Sequence, residues 1–227
     1  AELQWRLPAG ITRADVVVEV ADAFPADDRA SFILRQQADL GLDVLLVSDL
    51  PGATLRALQV LPGASVTTIG SGELAQINPA VTYDLVVYEK VAPPPTLPNS
   101  AILLVNPPIN GGPFPVRGQM AAPTVTNVVA DHPVLRGVDT AGLTFGPTPA
   151  FEMSGDQTSI LDGEAGPLII VGTLQTHPMV ALTFDVEASN LPQRVAFPIL
   201  IANIASYLVP TTLPSTVGLG DPVSYQP

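Results

Sequence analysis

At 227 residues, with 47% hydrophobic and only 13% charged side chains, the chain can bury a substantial core, as one large domain or one domain plus a fragment. Its formal net charge of −12 and its nine scattered basic residues argue against a nucleic-acid surface, which needs clustered lysine and arginine, and against docking to anionic lipid. The absence of cysteine excludes disulfides, zinc–thiolate sites and a cysteine nucleophile, without deciding the compartment.

The first 38 residues are predicted to be rich in β-structure. The segments 14–20 (ADVVVEV) and 30–36 (ASFILRQ) carry the apolar, largely β-branched residues typical of strands. The connector between them, DAFPADDR, is rich in turn formers. The sequence therefore predicts two strands joined by a loop.

From Leu40 the pattern changes to strands alternating with helices. Short, mostly apolar runs are typical of strands that are covered on both faces. A helix with Leu55, Leu58 and Leu61 on one side is predicted after the first of these strands. The proline cluster at 93–95 rules out a helix between the last two strands. The predicted strands are 43–48, 65–69, 83–89 and 101–105.

The pattern is weaker between residues 106 and 165. It predicts a loop at its start, two antiparallel strands, a helical turn between them, and a glycine-containing loop that carries Asp156, Asp162 and Glu164. The strands are 123–129 and 143–147, and the turn is 132–139. Beyond this region, 167–173 and 179–186 predict a hairpin that turns at residues 175–178.

The last predicted strand leads into a core helix. Ser189 or Asn190 can accept a backbone N–H as the helix cap, and Pro192 falls near the first helical position. Pro198 is expected to bend the helix or make its first turn irregular. The apolar run is shorter than the roughly 18–20 residues of a membrane span. Its apolar stripe is Phe197, Leu200, Ile201, Ile204, Ala205 and Leu208.

These elements predict an α/β domain over residues 39–210, with a largely parallel sheet flanked by helices and a late antiparallel hairpin. Residues 211–227 are interpreted as a tail or linker. No signal peptide or membrane-spanning segment is recognised. The chain begins in mid-pattern at AELQWRLPAG and ends at GDPVSYQP, which predicts a piece of a longer protein.

The order of motifs between about residues 14 and 209 resembles a known bacterial module. This is the glutamine-amidotransferase-like module of membrane-anchored proteins with a von Willebrand factor A domain, of the aerotolerance-operon type. The motifs are DAFPADDRASFIL, DVLLVSD, YDLVVYEKVAPPPTLP, ILLVNPP, HPVLRGVD, PLIIVG and FDVEASNLPQRVAFPILIANIASYL.

The resemblance implies a flavodoxin-like α/β module related in fold to class I glutamine amidotransferases. It also implies a parent protein with transmembrane helices elsewhere, and a position outside the cytoplasmic membrane. Residues 1–38 would then be the end of a preceding β-domain or an addition to the sheet. The amidotransferases use a cysteine at a strand-to-helix elbow, with a histidine and an acid. Because this chain has no cysteine, the resemblance does not carry that activity over.

The remaining residues give little sign of a reaction. The G-x-S-x-G pattern of serine hydrolases is absent, and the only histidines, His132 and His177, each precede a proline and are interpreted as surface or capping residues. Asp27 and Asp28 are adjacent, and neither they nor the later loop carboxylates have metal-ligand spacing. Gly70-Ser71-Gly72 lacks the remainder of a phosphate-loop motif and is interpreted as an ordinary turn. No catalytic residue, metal site or cofactor is predicted.

The best remaining position for a site is the edge where parallel strands end. In open α/β sheets, ligands bind outside the carboxyl ends of the strands. Asp49, Ser71, Glu89 and Asn106 follow or end four predicted strands and are the candidate ligand-binding residues. The alternative, which the sequence favours, is that Asp49 caps the next helix while Glu89 and Asn106 organise loops.

Two functions are considered. The first is a non-catalytic interaction or scaffold module whose partner is the parent's own von Willebrand factor A domain or an envelope protein, with contacts through the proline-rich loops 92–98 and 107–115. The second is a hydrolase or small-ligand-binding domain that uses the carboxyl-edge crevice, with Asp49 and Glu89 as the acidic groups. A structural spacer that holds other domains off the membrane cannot be separated from the first by sequence.

Overall fold

The computed structural model describes residues 13–17, 29–33, 41–76 and 81–210. The chain divides into two compact units, 1–41 and 42–227. In the first unit, strands β1 (Arg13–Val17) and β2 (Arg29–Ile33) form a regular antiparallel pair, so both predicted strands exist. The connector with Asp27 and Asp28, and the predicted tail 211–227, lie outside the described residues.

The second unit contains most of the described elements. Its strands are β3 (Leu42–Val47), β4 (Ala64–Ile69), β5 (Leu85–Glu89), β6 (Ala101–Val105), β7 (Val116–Met120), β8 (Asn127–Val128), β9 (Thr148–Phe151), β10 (Thr158–Asp162), β11 (Pro167–Leu174) and β12 (His177–Leu182). Its helices are α1 (Ala53–Gln59) and α2 (Ala196–Leu208), with short 3-10 helices at Ser71–Gln76, Pro133–Leu135 and Leu191–Gln193.

Eight strands form one mixed sheet in the order β4-β3-β5-β6-β12-β11-β10-β8. The pairs from β4 to β12 are parallel, and the pairs from β12 to β8 are antiparallel. All side chains of β5 and β6 are buried, as expected for central parallel strands that are covered on both faces. The predicted α/β class, largely parallel sheet and late antiparallel hairpin are confirmed.

The two faces of the sheet are covered differently. Both α-helices pack on one face, where Leu58 of α1 and Ile201 of α2 join a core of alternate strand residues. On the other face, Leu97, Phe114 and Phe151 from loops and β9 close the second core. Helices were expected on the faces of the sheet, and both α-helices lie on the first face. In the described residues the second face is covered by loops, by β7 and β9, and by Leu74 of the 3-10 helix Ser71–Gln76. The proline-rich loops 92–98 and 107–115 are therefore partly core, and only their remaining residues face solvent.

The region between residues 106 and 165 differs most from the prediction. Only Asn127–Val128 of the segment 123–129 forms a strand, and 143–147 is irregular, whereas the next residues form β9. Strand β9 pairs with β7, which was not predicted. The segment expected to be a loop around Asp162 contains β10. These strands are short and irregular, and their mixed polarity gives no clear alternation.

The C-terminal helix begins later than Pro192 would place it. Pro192 lies in the 3-10 helix Leu191–Gln193, and α2 starts at Ala196 with Pro198 in its first turn, where its missing N–H is tolerated. Ser189 Oγ accepts the N–H of Leu191 at the start of that 3-10 helix. Neither Ser189 nor Asn190 caps the long helix as predicted, because the residue before α2 is Val195, which has no capping side chain. None of the helices in the described segments has the length and apolar character that crossing a membrane requires.

Candidate functional site

The predicted site residues all lie at the edge where the parallel strands end. Asp49 follows β3 and Ser71 follows β4, and these two side chains are in contact. The N–H and the hydroxyl of Ser71 donate to the two carboxylate oxygens of Asp49 at 2.7 and 2.8 Å. The N–H first, and then the hydroxyl, hold the pKa of Asp49 below its usual value. The carboxylate is exposed and ties the ends of two neighbouring strands together.

The expectation that Asp49 caps the next helix is wrong. The residue at the cap position of α1 is Gly52, which has no capping side chain. The N–H of Ala53, the first residue of α1, donates instead to Glu187 Oε1 at 2.5 Å. A Cβ atom at Gly52 would overlap the Glu187 carboxylate, so a larger residue there would push this flexible side chain away from the start of the helix. A carboxylate at the start of a helix is electrostatically favourable, and here it comes from the loop after β12.

Glu89, the last residue of β5, is buried beneath this edge with only 3% of its surface exposed. Ser48 Oγ donates to Glu89 Oε2 at 2.8 Å, and Thr54 Oγ1 donates to Oε1 at 2.6 Å. Both hydroxyl residues are themselves buried. The carboxyl group therefore links β5 to the end of β3 and to the first turn of α1. This is a structural cluster, and neither oxygen of Glu89 lacks a partner.

Asn106 follows β6 with a positive φ of 49°, and its N–H donates to Leu182 O at 2.8 Å. A sharp turn after a strand is also the backbone feature of a nucleophile elbow. Here the residue is an amide, and two prolines follow it instead of a helix. Lys90, which follows β5 with a φ of 59°, forms a 2.7 Å ion pair with Asp185 in the loop after β12. Because β6 lies between β5 and β12, this ion pair spans the end of β6.

The structure thus places all four predicted residues at one edge but brings only Asp49 and Ser71 together. Asp49 and Glu89 do not form a shared pair of carboxylates, because each is bonded to different hydroxyl groups. Lys90, Asp185 and Glu187 also make contacts at this edge and were not predicted from the sequence. The last predicted strand, 179–186, contains β12, which pairs parallel with β6. Had it been counted as a fifth parallel strand, Asp185 and Glu187 near its end would have joined the candidate residues.

Large apolar side chains are exposed around these polar contacts. Leu50, which follows Asp49 in the loop after β3, is 86% exposed, and Ile109, three residues beyond Asn106, is 51% exposed. Val195, in the connection from β12 to α2, is 78% exposed. Scattered exposed apolar residues are ordinary, but Leu50 and Ile109 come soon after the carboxyl ends of two parallel strands, and Val195 directly precedes α2. The edge therefore carries polar side chains that are bonded to one another and apolar side chains that are exposed to solvent.

The two histidines lie elsewhere. His132 caps the 3-10 helix Pro133–Leu135, with Nδ1 accepting the N–H of Val134 at 3.3 Å, so its predicted capping role is confirmed. Partial burial lowers the pKa of His132, and its ring packs at 5.1 Å from that of Tyr207. Both rings line an open depression of about 690 Å³, together with apolar residues such as Ile160 and Val171 and polar ones such as Asp156. His177 begins β12 and is half-buried.

The three carboxylates that the sequence placed in one loop have separate partners. Asp156 accepts from Thr173, Asp162 from Asn127, and Glu164 from Thr124. Each therefore ties its segment to a neighbouring one. Within the described residues, no group of three or more histidine, aspartate or glutamate side chains is placed to hold a metal ion.

Known proteins resemble this chain in fold and not in sequence. No family model matches it, and no curated protein matches it. A cytoplasmic protein from Salmonella typhimurium LT2 is 10% identical, with a TM-score of 0.59 over 74% of this chain and 100% of that one. A protein described as ThuA-like from Parabacteroides merdae is 11% identical, with a TM-score of 0.51 over 82% of this chain and 98% of that one. At these identities the likeness shows a shared α/β fold alone.

A further neighbour, from Thermoplasma acidophilum, is described as a GMP synthase protein. It is 16% identical, with a TM-score of 0.46 over 74% of this chain and 96% of that one.

Proposed function

We propose that this chain is a non-catalytic interaction or scaffold module, and that its binding surface is the carboxyl edge of the parallel strands. Following the motif resemblance, we further propose that its parent is a membrane-anchored bacterial protein with a von Willebrand factor A domain, and that the module lies outside the cytoplasmic membrane. The partner would be that domain or a neighbouring envelope protein.

The observation that carries this proposal is the pairing of polar groups within the edge. Asp49 is bonded to Ser71, Glu89 to two buried hydroxyls, and Lys90 to Asp185. A small-molecule site needs polar groups that converge on a cavity and are free to meet a ligand. Groups that satisfy one another instead produce a rigid surface, and the exposed apolar side chains on it suit contact with another protein.

The alternative, a hydrolase or small-ligand-binding domain using the same edge, has less support. Acid–base chemistry by Asp49 and Glu89 requires both carboxyl groups to reach one substrate. Glu89 is almost fully buried and holds two hydroxyl groups, whereas Asp49 is exposed. Replacing Asp49 with alanine should therefore leave ligand binding and hydrolysis unchanged in any screen that detects them. A loss of activity in that variant would restore the alternative.

The binding surface can be tested by two substitutions that do not touch the core. Leu50→Glu and Ile109→Glu each add a charge to an exposed apolar position, and Val60→Glu, at a position 67% exposed just after α1, is the matched control. Deleting the proline-rich loops would be a poorer test, because it removes the buried side chains of Leu97 and Phe114.

The measurement is titration calorimetry of the full chain with the von Willebrand factor A domain of the same parent protein. We expect binding that Leu50→Glu and Ile109→Glu each weaken at least about tenfold, the effect of losing roughly 1.4 kcal/mol at an apolar contact, while Val60→Glu has no effect. If all three variants bind as the wild type does, the surface is elsewhere. If the parent has no such domain, or if the two do not bind, the proposed partner is wrong.

A further inference from the structure

Strand β4 is the outermost strand of the eight-stranded sheet on its parallel side. Its register with β3 decides which backbone groups face inward. The N–H of Leu42 donates to Gly63 O, and the N–H of Ser48 donates to Ile69 O, both at 3.0 Å. Because the parallel pairing between them is uninterrupted, the odd-numbered residues of β4 bond to β3. The even-numbered residues direct their N–H and C=O groups away from the sheet.

Among the even-numbered residues of β4, two have an N–H and a C=O group that bond to no other residue in the described part of the chain. They are Val66 and Thr68. The N–H groups of Ala64 and Gly70, on either side, already donate to other residues of the chain. Strand β4 therefore offers two N–H donors and two C=O acceptors on alternate residues, which is the spacing that a second strand needs to pair with it in antiparallel orientation.

The features that usually protect an exposed edge are missing from β4. Natural edge strands carry lysine, proline or a bulge that prevents another strand from pairing. The sequence ASVTTI has no charge and no proline, and its pairing with β3 has no bulge. Four of its six residues are β-branched, which favours an extended strand. In a chain with a net charge of −12, this strand is neutral.

We propose that β4 pairs with β4 of a second copy of this chain, in antiparallel orientation, with the two-fold axis at Thr67. In that register Val66 lies opposite Thr68 of the other copy, and the four free groups of each strand form four hydrogen bonds across the axis. The two Thr67 side chains meet in the closely spaced, non-hydrogen-bonded position. Threonine pairs are favourable there, whereas like charges are not. The two eight-stranded sheets would become one sheet.

Introducing a charge of either sign at Thr67 tests the proposal, because that side chain is exposed and lies on the proposed axis. Thr67→Lys and Thr67→Glu each place like charges opposite one another, and should raise the dimer dissociation constant by about fivefold or more. An equimolar mixture of the two variants should form a heterodimer, since lysine then faces glutamate. Thr67→Val, which keeps a neutral β-branched residue, is the control and should dimerise like the wild type. The measurement is sedimentation velocity of the full chain across a range of concentrations.

Thr68→Pro gives an independent test. Because the N–H of Thr68 points away from β3, proline removes a donor to the second copy without breaking the ladder within the sheet. This variant should stay monomeric and keep the circular dichroism spectrum of the wild type. Amide exchange adds a residue-level readout. The Val66 and Thr68 amides should become protected only as the concentration rises, whereas the amides of Ser65 and Thr67 stay protected throughout.

Three results would overturn the proposal. The first is a wild-type chain that remains monomeric at every concentration, whether or not the Val66 and Thr68 amides are protected; permanent protection would mean that another segment of the same chain fills the edge. The second is a dimer that survives both Thr67→Lys and Thr68→Pro, which would place the interface elsewhere. The third is a mixture of the Lys and Glu variants that does not associate although Thr67→Val does.

Discussion

Replacing Glu89 with alanine should destabilise the domain strongly, because this one side chain accepts hydrogen bonds from two buried hydroxyl groups. Ser48 and Thr54 are 5% and 0% exposed, so neither hydroxyl can turn to bulk water once the carboxyl group is gone. A buried polar group left without a partner costs about 1–3 kcal/mol, so two give a loss of about 2–6 kcal/mol. That is a large part of the roughly 5–15 kcal/mol by which a domain is stable.

Two companion variants separate lost hydrogen bonds from lost volume. Glu89→Gln keeps the shape and one good acceptor, and should cost about 1 kcal/mol, since one hydroxyl must then accept from the amide. The triple variant Ser48→Ala, Thr54→Val, Glu89→Met removes all three polar groups together, and should lie within about 1.5 kcal/mol of the wild type, because apolar replacement of both partners is nearly neutral.

The assay is urea unfolding at pH 7 followed by circular dichroism, with the slope compared between variants so that midpoints report stability. The prediction is wrong if Glu89→Ala costs less than about 1 kcal/mol, the smallest penalty for leaving even one buried hydroxyl without a partner. It also fails if the triple variant is as unstable as Glu89→Ala, because the loss would then come from packing and not from unpaired hydroxyls.

Three further predictions concern groups away from this cluster. His132, whose Nδ1 must be unprotonated to accept from Val134, has a lowered pKa, so stability should fall as the pH drops below about 6.5. His132→Asn, which keeps a capping oxygen, should flatten that fall between pH 7.5 and 5.5 in thermal melts; an unchanged slope would contradict it. Burial raises the pKa of Tyr88 to about 12, so its contribution is complete below pH 10, its ordinary value, and is lost towards pH 12. Absorbance titration should show one phenol ionising late, and Tyr88→Phe should remove it. Gly172 has a φ of 151°, and a Cβ there would lie 2.8 Å from a backbone Cα atom, so Gly172→Ala should cost about 1–3 kcal/mol in urea unfolding, while Gly72→Ala, in open space, should be close to neutral.

The apolar segments of the core were predictable from sequence. The strands β3, β5 and β6 are mostly apolar runs, and the hairpin β11–β12 is two such runs around a short turn. Such runs are typical of strands buried on both faces, which carry few polar residues. The strands β7, β9 and β10 were missed because they are short or bulged and mix apolar and polar residues.

For the candidate site, the sequence predicted which residues lie at strand ends but not which of them are in contact. The sequence identifies Asp49, Ser71, Glu89 and Asn106 as polar residues where predicted strands stop, and parallel strands bring such ends to one edge. It does not say which ends are neighbours. That depends on the strand order, which is set by how the chain crosses between strands and not by any local pattern.

The sequence by itself therefore determined the fold class, the buried strands and the absence of a cysteine nucleophile, since these follow from local composition and periodicity. Only the tertiary structure decided the partners of the polar groups. Ser71 reaches Asp49 from 22 residues away, Ser48 reaches Glu89 from 41, and Lys90 reaches Asp185 from 95. Contacts over such separations form when the sheet assembles, so the pairing of the polar groups at this edge exists only in the folded chain.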